Sequence, residues 1–244
     1  MNSGKLEVGA VIRRVWSIYV DQAPVLMPAA AVVFVFTGIL SALLARSGGA
    51  AGLLALVIVL VATTLFTGMV VELVADVQDG RRDAKPGQLL RAATPVLWTL
   101  IAVALVVGCL TAIGIVLLVV PGLIALTVWS VAAPVVVLER PPGLKAMRRS
   151  RELVAGSGWV VFGVILVLGV AVGAVSLAIE IAAESAGTGA GIIARVVLGV
   201  LTAPLSSLAA AVLYFELLRV RQEPKPELPL EQTHPAPPEP FGTE

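Results

Sequence analysis

The sequence predicts an all-α integral membrane protein with six transmembrane helices, and three observations carry that expectation. The 244 residues are 58% hydrophobic and only 14% charged, with mean hydropathy +0.99. A water-soluble domain carries about 25% charged residues, so this chain has too little polar surface to cover a soluble globule. Apolar runs at 29–45, 50–71, 96–120, 122–138, 159–179 and 192–218 mostly reach the ~20 residues an α-helix needs to cross a bilayer. Finally, fifteen of the 17 Lys and Arg residues fall on one side of those runs.

That charge asymmetry orients the chain. Lys5, Arg13 and Arg14 precede the first span, and Arg81, Arg82, Lys85 and Arg91 lie between the second and third. Arg140, Lys145, Arg148, Arg149 and Arg151 lie between the fourth and fifth, and Arg219, Arg221 and Lys225 follow the sixth. Only Arg46 and Arg195 are opposite. The positive-inside rule then predicts a plasma-membrane protein with both termini cytoplasmic, as an even number of spans also requires. The expected spans are 23–45, 50–75, 95–116, 121–138, 159–181 and 192–217. They form one domain over 1–221, and the first helix is not a cleaved signal peptide. The Pro/Glu-rich stretch 222–244 has too few apolar residues to fold and is expected to be a disordered cytoplasmic tail.

The spans group into three helical hairpins, each preceded by an interfacial amphipathic helix. The entry segments are GKLEVGAVIRRVW (4–16), GQLLRAATPVLW (87–98) and GLKAMRRSRELVAGSGW (143–159). Each starts at a glycine, carries Arg and delivers a tryptophan where an apolar run begins, at the depth where interfacial tryptophans collect. Each unit also leaves on an acid, Glu72, Glu139 or Glu216, which either pairs with a basic entry helix or is solvated. Within the second hairpin, 94–138 contains no charge before Glu139. VPG at 120–122 is therefore the preferred turn, with TAIG at 111–114 as the alternative. Gly169 and Gly173 in the fifth span, and Thr63, Thr64, Thr67 and Gly68 in the second, are expected at helix contacts. Pro24, Pro28, Pro134 and Pro204 are expected to kink their helices or lie near their ends.

The third entry segment is the most informative. At 100° per residue, Ala146, Met147, Ser150, Leu153 and Val154 share one side, with Lys145, Arg148, Arg149, Arg151 and Glu152 on the other. Such a helix can lie in the interface with Met147, Leu153 and Val154 toward acyl chains and its cations toward phosphates. Lys145, Arg148, Arg149, Arg151 and Trp159 are thus the candidate lipid-headgroup contacts. Glu180 and Glu184, four residues apart near the end of the fifth span, are the candidates for a transport role, with a pairing to Arg195 the simpler account.

Catalytic machinery is not expected. The single histidine, His234, lies among prolines in the tail, and the single cysteine, Cys109, can form no internal disulfide. No metal-ligand cluster, nucleophile elbow or phosphate loop is legible, so no cofactor and no metal are expected. A net charge of +1 without a basic domain implies no nucleic-acid partner.

The run from PGLIALTVWSVAAPVVVLE through GLKAMRRSRELVAGSGW resembles the membrane domain of glycerophosphoryl diester phosphodiesterases and its free-standing bacterial relatives. The matching positions are Pro121, Gly122, Glu139, Ala146, Arg149, Ser150, Leu153, Tyr214, Glu216 and Arg219, and the resemblance extends over 1–223. It implies a six-helix bacterial membrane module, distinct from the soluble domain in which fused relatives do their chemistry. The expected function is a non-catalytic module interacting with anionic phospholipid or a protein partner at the cytoplasmic face. A small-solute or lipid transporter is the second expectation, and an accessory membrane domain for a phosphodiesterase the third.

Overall fold

A computed structural model describes residues 6–44, 49–79, 87–88, 93–184 and 188–224. Every regular element among them is helical, and six segments are long and apolar enough to cross a membrane. The chain is an all-α, multi-pass membrane protein. The elements are α1 (Val8–Asp21), α2 (Ala23–Leu44), α3 (Gly49–Gln78), a 3-10 turn (Thr94–Val96), α4 (Leu97–Leu117) and α5 (Val119–Val128). They continue as α6 (Ala132–Leu138), α7 (Gly143–Val154), α8 (Gly158–Glu184) and α9 (Thr188–Arg221). The long helices α2, α3, α4, α8 and α9 each make one span, while α5 and α6 together make the fourth. Successive spans pair as three hairpins, and α9 also packs along α2.

Proline placement explains two boundaries. A proline ring clashes with the carbonyl four residues earlier and donates no N–H, so it fits best in the first helical turn and bends or breaks a helix elsewhere. Pro121 therefore ends α4 at Leu117, and the turn falls on Leu118 alone, in extended geometry (φ −159°, ψ 135°). This corrects both expected turns. VPG opens the fourth span instead of separating it from the third, and TAIG stays helical within α4. Pro134 acts in the same way on Ser130, breaking the fourth span at 129–131 before α6 begins.

The one-residue turn requires glycine on both arms of the hairpin. A Cβ at Gly122 would lie 2.6 Å from the Ile115 backbone nitrogen, and one at Gly114 would lie 2.8 Å from the Gly122 Cα. Backbone cannot move aside as a flexible side-chain end can. Gly122→Ala is therefore expected to open the α4–α5 hairpin. A lower melting temperature and a larger aggregated fraction in size-exclusion chromatography would show it, whereas Gly108→Ala, with open space around it, should behave as wild type.

Other close helix approaches differ in part from expectation. Nothing lies within 4 Å of a Cβ at Gly169 or Gly173, so that pair marks no helix contact. Instead Gly199 admits Phe34, Gly38 admits Val196, and Gly68 sits against Ala93. Thr63 and Thr67 bond back to the carbonyls of Val59 and Thr63 in their own helix.

Two entry helices are fully described. In α1, Val11, Val15 and Ile18 form the buried stripe at i, i+4 and i+7, packed against α9. Arg14 donates to Gln78 at 3.1 Å, tying α1 to the end of α3. The Tyr19 hydroxyl donates to the Leu201 carbonyl at 3.0 Å, three residues before Pro204, where the ring opens the helix ladder. Residues 89–92 of the second entry segment fall outside the described residues; Gly87–Gln88, Ala93, the 3-10 turn and the start of α4 at Leu97 and Trp98 are described. Trp16, Trp98 and Trp159 are all exposed.

Burial is concentrated where the entry helices meet the spans. Met69–Ala75 of α3, Val135–Leu138 of α6 and Ala211–Tyr214 of α9 are almost fully buried. The opposite halves of α2, α3, α4 and α8 turn large apolar side chains outward.

Candidate functional site

The third entry helix, α7, is built into the protein. Ala146, Met147, Ser150, Leu153 and Val154 are the expected apolar side, but all five are buried against protein. This corrects the expectation that Met147 and Leu153 face acyl chains: α4, α5, α6 and α9 pack against α7, and of the three only Val154 reaches a cavity. Three polar contacts then lock the helix in place.

The first is at the break in the fourth span. Ser150 Oγ donates 2.9 Å to the Val128 carbonyl, which the interruption at 129–131 has left without a helical donor. The second is at the C-terminus of α7, where Arg221 of α9 donates to three carbonyls. They are Leu153 (3.3 Å), Ala155 (2.8 Å) and Glu152. One planar guanidinium thus satisfies acceptors that a helix end leaves open, and places positive charge at the negative end of the helix dipole.

The third is a four-residue network. Arg149 Nε donates to both Glu139 oxygens at 3.2 and 3.1 Å, and the buried Tyr214 hydroxyl donates to Glu139 Oε1 at 2.9 Å. The Arg149 Nη2 group pairs with Glu223. Glu223 reaches it because α9 ends in a Schellman turn. Gln222 adopts φ +56°, its N–H bonds the Arg219 carbonyl, and the Glu223 N–H bonds the Leu218 carbonyl. The Glu223 hydrogen bond, then Glu139, holds the Arg149 guanidinium further into its charged range than an ordinary arginine. In return Arg149 holds the Glu223 carboxyl below its usual range. The described chain runs three residues past the expected boundary at 221, to 224, while 225–244, including His234, lies outside the described residues.

These contacts divide the candidate lipid ligands. Arg149 is turned inward and committed to Glu139 and Glu223. Lys145, Arg148 and Arg151 are exposed, with Arg148 also 3.1 Å from Glu152. Trp159 is 87% exposed and its ring packs edge-on against Phe162 at 6.2 Å. Between the first turns of α8 and the length of α5 lies a cavity of about 550 Å³, lined by Leu123, Thr127, Val128, Val154, Trp159 and Phe162. Its volume is within the ~300–1,000 Å³ typical of small-molecule sites. Thr127 Oγ1 is occupied by the Leu123 carbonyl at 2.7 Å, leaving the lining effectively apolar.

The three boundary acids have three fates. Glu139 pairs with an entry helix, as one expectation had it. Glu216 approaches Arg219 only at 3.9 Å. Glu72 is neither paired nor solvated: it is 1% exposed and neither carboxylate oxygen has a hydrogen-bond partner. Glu180 and Arg195 are both exposed, and no ion pair joins them among the described residues. The Glu184 side chain lies outside the described residues. No group of three or more His, Cys, Asp or Glu that could hold a metal occurs among the described residues.

Residues 88–219, more than half the chain, match the domain of unknown function DUF8558. The chain belongs to that family. The matched region contains α7, the cavity and all of the network except Glu223. No curated protein and no solved structure matches the chain.

Proposed function

We propose that the protein is a non-catalytic membrane module that holds an anionic phospholipid beside α7, at the cytoplasmic face of a bacterial plasma membrane. The observation that carries this reading is the apolar cavity that meets α7 at Val154, the end of the helix whose exposed side carries Lys145, Arg148 and Arg151. An acyl chain fits between α5 and α8, and Arg151 precedes the lining residue Val154 by about one turn of α7. Lys145 and Arg148 extend the positive surface along the same helix, each cation near an anionic headgroup contributing about 1 kcal/mol before losses to Glu152 and salt. Gly156 (φ +87°), itself part of the lining, reverses the chain so that α8 starts beside the cavity, and the positive end of its helix dipole favours an anionic group there. The resemblance to the phosphodiesterase membrane domain supports the same reading, of a module apart from any catalytic unit.

The test uses full-length protein purified in mild detergent, with co-purifying lipids quantified by mass spectrometry. The triple variant Lys145→Gln/Arg148→Gln/Arg151→Gln is expected to lose selectivity for anionic phospholipid. Leu123→Trp, which fills the cavity, is expected to lower bound lipid of every headgroup class. Unchanged lipid content and composition in both variants would rule the reading out.

A further inference from the structure

The buried acid on α3 belongs to none of these contacts. Gly68 packs on Ala93, Leu100 and Val137, so that face of α3 looks into the junction of α4 and α6. Glu72 is one turn further along the same face. It lies about 9 Å inside the Gln78 end of α3, at 1.5 Å per residue. Asp76, one more turn on, is 5% exposed, and Asp76 and Arg140 are, among the described residues, charged groups whose fields reach Glu72. Arg140 follows directly on Glu139, in a left-handed conformation (φ +53°) that few non-glycine residues adopt. A carboxylate removed from water without a partner is among the costliest groups a protein can bury. Within a membrane span such a group marks a functional site by default.

We infer that the Glu72–Asp76 face of α3 is a binding site for a single small positive charge, a proton or an alkali cation, taken up at Glu72 from the basic end of the bundle. Two carboxylates one helical turn apart can share one small cation. Without a third His, Cys, Asp or Glu among the described residues, they lack the fuller oxygen shell a calcium ion takes. The site is separate from the proposed lipid cavity, and its test needs no anionic lipid.

A ligand that binds the folded protein raises its melting temperature by mass action. Full-length protein in nanodiscs of uncharged phosphatidylcholine is unfolded thermally at constant ionic strength. Sodium and potassium are varied against N-methylglucamine in one series, and pH from about 8 to about 5 in another. Wild type is expected to gain about 2–4 °C in one series, and Glu72→Gln, which keeps shape and removes charge, to lose that response. A response to alkali cation identifies a metal ion as ligand, and a response to acidification identifies a proton. If Glu72→Gln responds as wild type does in both series, the site does not exist. If that variant does not fold, carbodiimide modification of wild type mapped by mass spectrometry replaces it. Modification at Glu72 is expected to be slowed by the alkali cation or quickened by acid. A rate indifferent to both, or no modification there, overturns the inference.

Discussion

Leu153→Ala is expected to destabilise the protein by about 2–4 kcal/mol, the range for emptying a fully buried leucine site that can relax only partly. Leu153 has no exposed surface, whereas Leu144, on the same helix, is 82% exposed. Leu144→Ala should change stability by less than about 0.5 kcal/mol. Because α7 lies outside the spans, lipid cannot fill the Leu153 cavity as it would on a membrane-facing surface. Chemical denaturation of both variants in the same detergent checks the difference. Equal small effects would mean that α7 floats on the membrane surface and that its apolar side is not part of the core.

Arg149→Ala is expected to cost about 2–3 kcal/mol, far more than Arg151→Ala on the next residue. Hydrogen bonds to charged groups contribute about 1.5–3 kcal/mol, and removing one partner leaves the other without compensation. Here the residue left behind is Glu139, half-buried against Tyr214. Arg149→Lys should recover only part of the loss, since one ammonium cannot span Glu139 and Glu223 as the guanidinium does. Acidification should weaken the same network. Glu223 is held below its ordinary range when folded, so its contribution is present above the unfolded carboxylate range near pH 4.5 and is lost as pH falls through and below it. Melting temperatures of Arg149→Ala and wild type, measured from neutral pH down to about 3, should therefore keep their gap above about 4.5 and draw closer below it.

The spans were legible because a bilayer imposes one requirement, apolar length, that composition shows directly. The amphipathicity of α7 was equally legible, yet its apolar face could not be assigned to lipid or protein, since both are equally apolar and a periodic stripe carries no address. Pro121 was recognised as a breaker, but its effect falls on Leu117, four residues earlier, and the turn moved with it. Glu139 and Arg149 could be suspected as partners from their places at the ends of neighbouring elements. Glu223 could not, because its surroundings in sequence are those of a tail, and the Schellman turn that brings it back depends on Gln222 taking a conformation usually left to glycine. Glu72 looked like two other boundary acids, and only the packing around Gly68 distinguishes it.

The uneven distribution of burial gives the molecule a gradient of stiffness along the membrane normal. In the most apolar 18 residues of the fifth span only 11% are buried within the protein, against 39% in the corresponding stretches of the second, fourth and sixth. Polar clamps join α7 and α9 at the basic end, while at the other end hydrocarbon supplies most of the packing. A bilayer thicker or thinner than the spans must be met by tilting or bending helices, at a fraction of a kcal/mol per Å. That deformation is cheapest where neighbouring helices touch least, so the far ends of α2, α4 and α8 would splay or draw together as bilayer thickness changes. The basic end would keep its shape, and with it the spacing between Trp159, α5 and the cationic side of α7.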